Sequence, residues 1–142
     1  MLIGAAMFEL ADSARITAGA VLLSATTVAS GGWFLTRVVG GKVETTEFQK
    51  SFYRAGHAHA GVLIILGLIC LMLTEQTSWT GWAEWLSRVG VLMAAILMPA
   101  GFFLSALGTG RTQPNGWVSL LWIGAAFLIA GLVTCGLGLI IG

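Results

Sequence analysis

Charge is what this chain has least of: seven Lys or Arg and six Asp or Glu among 142 residues, for a net charge of +1. So few charges cannot clothe a soluble core in a hydrated surface. With no basic stripe to neutralise a run of phosphates, a nucleic-acid partner is excluded. Histidine, cysteine and proline are scarce too, with two of each. Two cysteines cannot build a disulfide framework, and two histidines confine any imidazole chemistry to one place. No repeat, low-complexity tract or second domain is visible.

What fills the chain instead is long apolar runs, with 57% hydrophobic residues and a mean hydropathy of +0.92. About 21 uncharged residues separate Arg15 from Arg37, about 20 separate Arg54 from Glu75, about 22 separate Arg88 from Arg111, and none after Arg111 is charged, against the roughly 20 that span hydrocarbon. Lipid offers the backbone no partners, and these runs lack the alternation of barrel strands, so the spans must be helical. The spacing predicts helices over 16–35, 55–73, 86–107 and 117–141. The expected fold is all-α, a single integral membrane four-helix up-down bundle, in a bacterial-type cytoplasmic membrane.

The placement of cations orients it. Arg37, Lys42, Lys50 and Arg54 cluster between the first two spans and Arg111 lies between the last two, whereas the other side carries only Arg15 and Arg88. By the positive-inside rule both termini are expected outside. Trp79, Trp82 and Trp85 in the second loop, with Trp33 and Trp117 near helix ends, read as an aromatic belt. Met1 to Leu10 lacks a basic start and carries Glu9, with Asp12 just beyond, so it is expected to be retained and either to extend the first helix or to lie on the surface. In the polar segment from Gly40 to Ser51, Thr45 is followed three residues later by Phe48, which makes no capping box.

Small residues at four-residue spacing, such as Gly56 with Ala60 and Gly101 with Ser105, favour close helix packing and a homo-oligomer or a larger membrane complex. Pro99 inside the third span leaves the carbonyl of Ala95 without its helical donor. Cys70 and Cys135 fall at similar depth and are read as apolar packing residues.

Any chemistry is expected in the stretch Phe52-Tyr53-Arg54-Ala55-Gly56-His57-Ala58-His59-Ala60-Gly61, which holds both histidines. Ionisable groups inside a span are costly and mark functional sites by default. With helix 2 starting near Ala55, the histidines lie about 3 to 8 Å inside its end. Positions two apart diverge by about 200°, so His57 and His59 cannot share one metal on a regular helix, while Arg54 and His57 lie on one face. Depth matching adds Ser30, Trp33, Phe34, Phe103, Ser105, Ser119 and Trp122 at their level. The expected cofactor-binding set is Arg54, His57, His59, Trp33, Ser105 and Trp122, with His57 and His59 as candidate metal ligands. An aromatic pocket of this kind suits a flat ligand, a porphyrin or a quinone headgroup.

The His57-Ala58-His59 opening of a helix, followed by apolar residues and Gly67, resembles small membrane proteins similar to haem-copper oxidase subunit I over about ten residues. The resemblance implies haem, with one imidazole as axial ligand. No histidine lies on the other spans, so a second axial ligand would come from Met93, Met98 or a symmetry mate. The four-span architecture, with its basic first loop and Arg54-Ala55, also resembles the trimeric glutathione-using membrane enzymes of eicosanoid metabolism. The Asn and Glu of that family are replaced here by residues of the run His59-Ala60-Gly61-Val62-Leu63. A small transporter or channel and a non-catalytic accessory subunit are the remaining alternatives.

Overall fold

The computed structural model describes residues 10–141, and these form four long α-helices joined by short loops. They are α1 (Asp12–Val39), α2 (Glu47–Thr74), α3 (Gly81–Ser105) and α4 (Ser119–Ile141), the last preceded by a 3₁₀ turn at Gly116–Val118. All four, α4 taken with its 3₁₀ turn, are long and apolar enough to cross a bilayer. The expectation for Met1 to Glu9 lies outside the described residues.

Successive helices run antiparallel, but the four are not equivalent. α2, α3 and α4 pack on one another, while α1 touches α2 alone. Backbone proximity sets the α3–α4 contact. A Cβ on Gly90 would stand 2.8 Å from the Cα of Gly131, and a Cβ on Gly101 would stand 2.6 Å from the amide nitrogen of Leu121. Without a hydrophobic drive between helices in lipid, such close approach is what dispersion forces need. Gly101 thus lets α4 approach closely, as its small-residue spacing with buried Ser105 suggested.

Helix α2 begins eight residues earlier than Ala55, and the reason is local. Thr46, not Thr45, is the N-cap. Its hydroxyl accepts the Gln49 amide (3.1 Å) while the Gln49 carboxamide oxygen accepts the Thr46 amide (3.1 Å), a reciprocal capping box one residue along from the pair considered above. The same Gln49 side chain is buried and donates from Nε2 to the carbonyls of Ala106 (2.9 Å) and Gly108 (2.7 Å), which lie just past the end of α3. Asn115 completes that junction. Its Nδ2 donates to Leu104, its amide to Ser105, and its Oδ1 accepts from Trp117 at the start of the last helix. Carbonyls that a helix end leaves unpaired are thereby satisfied where water is scarce.

α1 closes with a Schellman motif, in which Gly41 at φ 68° donates to Val38 and Lys42 donates to Arg37. At the opposite end of the molecule, Arg88 bridges Glu75 (2.5 Å, an ionic contact without hydrogen-bond geometry) and Glu84 (3.0 Å), and Glu75 Oε2 accepts the amide of Ala11. α1 is tied at this end by the Ala11 amide and at the other by Val38, buried against Tyr53 and Ala106. Of the tryptophans expected in an aromatic belt, Trp33, Trp82, Trp85 and Trp117 stand exposed. Trp79 does not: its Nε1 donates to the Thr134 carbonyl (2.8 Å) and its ring packs over Gly138 of α4.

Candidate functional site

The longer α2 relocates the histidines. His57 and His59 stand ten and twelve residues beyond Glu47, about 15 and 18 Å along the helix instead of at its mouth. The preceding turns carry Glu47, Lys50 and Arg54.

The two imidazoles face different neighbours. His57 lies against the Gly31-Gly32 pair of α1, with Nδ1 3.3 Å from where a Cβ on Gly31 would stand and Nε2 3.5 Å from one on Gly32. A Cβ at Gly31 would crowd the ring by a few tenths of an ångström and one at Gly32 would only touch it, so the glycine pair gives the imidazole room in the α1–α2 seam. Neither nitrogen of His57 has a hydrogen-bond partner among the described residues. His59 turns to α3, where its ring sits 4.9 Å from that of Phe102 and its Nδ1 lies 2.8 Å from the Ala55 carbonyl. That acceptor assigns the proton to Nδ1 and leaves the lone pair of Nε2 available.

One turn inward from His57 the seam opens. A cavity of about 320 Å³ is bounded by α1 through Val21, Ser24, Thr27 and Val28, by α2 through Ala60 and Ile64, and by α3 through residues including Ala95 and Pro99. Its volume is at the lower end of the small-molecule range of about 300–1,000 Å³. The Ser24 and Thr27 hydroxyls donate to the Val21 and Ser24 carbonyls of their own helix, so their oxygens present acceptors. Pro99 cannot donate to Ala95, which leaves another acceptor on the far wall.

Of the other expected site residues, none joins the histidines. Ser105 is fully buried and donates to Phe102. Trp33 is 64% exposed beneath the Arg37 guanidinium (5.0 Å to the ring centre), and Trp122 is 69% exposed on α4. Arg54 is exposed, one turn outward from His57. Phe34 and Phe103 do converge, but on Tyr53, with ring centres 5.5 Å away on either side. That cluster is solid packing, backed by buried Val38 and Ala106.

No family model matches the chain, and neither a curated protein nor a solved structure is similar to it.

The haem that the local resemblance implies meets a partial fit. The Nδ1 bond of His59 to a backbone carbonyl is the arrangement that orients a metal-ligating imidazole and frees Nε2 for the metal. His57 faces the opposite side of α2, and Met98 is buried in a separate cluster with Leu63 and Ala94. Among the described residues no three His, Cys, Asp or Glu side chains converge. Of the two imidazoles, His59 is the one whose ring a backbone carbonyl orients.

Cys70 and Cys135 meet deep between α2 and α4, with Cys135 Sγ 3.9 Å from the Cys70 carbonyl oxygen, and both are free thiols. The cavity residues Ser24, Thr27 and Pro99 and the Gly31-Gly32 pair escaped sequence reasoning as a site. Their signals were two adjacent glycines among several hydroxyl residues on the first span and a proline inside the third.

Proposed function

We propose that this chain is an integral membrane protein, with both termini outside, that binds a redox-active ligand of quinone type in the seam between α1 and α2. The reading rests on one observation: an imidazole with unpaired nitrogens stands one turn above an apolar cavity whose few polar atoms are acceptors. A quinone carbonyl would accept from the ring N–H of His57, or a hydroquinone hydroxyl would donate to its bare ring nitrogen, while the apolar remainder would lie against Ile64, Val28 and Pro99. Binding there needs no catalytic constellation, and the chain supplies only recognition and a proton-carrying ring.

A second reading is favoured by His59. Its free Nε2 would supply one axial ligand to haem, and a second copy of the chain would supply the other, so haem binding and homo-oligomerisation stand together.

One sample decides between them. The protein purified in mild detergent is examined by UV-visible spectroscopy before and after dithionite, and its organic extract by mass spectrometry. A quinone in the extract of the wild type, lost in His57→Ala, supports the first reading. A Soret band lost in His59→Ala supports the second. Neither chromophore in a sample from cells supplied with both sinks both.

A further inference from the structure

Arg54 differs from every other helix cation. Arg15 pairs with Asp12, Lys50 with Glu47, and Arg88 with Glu75 and Glu84. Arg37 lies over the Trp33 ring. Among the described residues Arg54 has no carboxylate within ion-pair distance and no other polar partner. Yet it is not a stray surface charge, because it forms the shared wall of two hollows at the basic end of the α1–α2 seam. One, of about 300 Å³, is polar and is lined by Glu47, Lys50 and Ser51 together with Val39 and Arg54. The other, of about 450 Å³, runs along Leu35, Thr36, Val39 and Gly40, and is almost wholly apolar.

We infer that this double hollow holds an anionic phospholipid, with its phosphate on Arg54. The polar half supplies the guanidinium, the Lys50 ammonium and the Ser51 hydroxyl as donors to phosphate oxygens. Glu47 is the one negative group there, 90% exposed, and it is engaged by Lys50 at 2.8 Å, which leaves Arg54 as the uncompensated charge. The apolar half gives the first part of an acyl chain a path along Leu35 and Val39. A free phosphate would use the polar half only. The continuity of the two halves through Arg54 and Val39 is what selects a lipid, and basic pockets between membrane helices are recognised sites for such headgroups. The site stands one turn outward from His57 and does not depend on what the inner cavity holds.

The test is native mass spectrometry of the full chain released from micelles holding equal amounts of phosphatidylglycerol and phosphatidylcholine with the same acyl chains. The wild type is expected to keep phosphatidylglycerol about five-fold over phosphatidylcholine, the preference one facing cation confers. Arg54→Gln brings the ratio close to one, whereas Arg54→Lys keeps most of it. Val39→Trp, which blocks the junction of the two hollows and changes no charge, also abolishes it. Equal retention by the wild type overturns the inference, as does an unchanged ratio in Arg54→Gln or in Val39→Trp. Displacement of the lipid by millimolar inorganic phosphate also overturns it, since that would mark an anion site without a tail. Arg54 and Val39 are both exposed, so neither substitution removes a core contact.

Discussion

Gly90 of α3 and Gly131 of α4 face each other backbone to backbone, so that a Cβ on Gly90 would stand 2.8 Å from the Gly131 Cα and one on Gly131 would stand 2.9 Å from the Val91 amide nitrogen. The atoms in the way are main chain and cannot rotate aside. Gly90→Ala and Gly131→Ala are each expected to cost about 1–3 kcal/mol by forcing the helices apart. Gly19→Ala and Gly136→Ala, where nothing lies within 4 Å, are the controls and are expected to lose nothing. Reversible unfolding in mixed micelles measures all four, and equal losses at the two classes of site would refute the argument.

Gln49 is the residue on which the basic end turns. Gln49→Leu keeps the bulk but strands the Thr46 amide and the Gly108 carbonyl, and leaves the Ala106 carbonyl to the Tyr53 hydroxyl (3.4 Å). Each buried group left unpaired costs about 1–3 kcal/mol. The expected result is a clear loss of stability with faster hydrogen exchange confined to the first turns of α2 and the loop after α3. Exchange unchanged in both places would show that water already serves those groups.

Pro99 both frees the Ala95 carbonyl and lines the inner cavity. Pro99→Ala restores a helical donor, so unfolding stability is expected to hold or rise. Ligand content of the purified protein is expected to fall, because the Pro99 ring, part of the wall for the ligand's apolar portion, is lost. Full ligand content in this variant would separate the cavity from the ligand.

The paired cysteines make a simpler prediction. Denatured without reductant and treated with iodoacetamide, the protein is expected to gain two carbamidomethyl groups, one each at Cys70 and Cys135. A mass that rises only after reduction would mean that the thiols are bridged.

Helix number, type and order were legible because charge-free runs of span length admit one solution in lipid. The divergence of His57 and His59 also follows from helical pitch alone, and the depth match of the two cysteines placed them at one level. What sequence reasoning misplaced was the start of α2. Glu47, Lys50 and Arg54 look like loop residues by charge, yet the Thr46–Gln49 box carries the helix through them. Trp33, Ser105 and Trp122 were matched to the histidines by depth, which fixes a level but not a direction around the axis. Their rotation is set by glycine contacts on other helices, such as Gly101 on Leu121, and linear spacing does not record those. The cavity was illegible for a related reason: it arises where α1 stands away from α3.

That detachment of α1 bears on how the chain assembles. α2, α3 and α4 complete their mutual contacts between neighbours in sequence, through loops of modest length, and such local contacts form early. α1 makes its close backbone approach to α2 alone, and its outer latch needs Glu75, just beyond the end of that helix. α1 thus has a single helix interface to complete, and parting that one seam would leave a three-helix core with its mutual contacts intact.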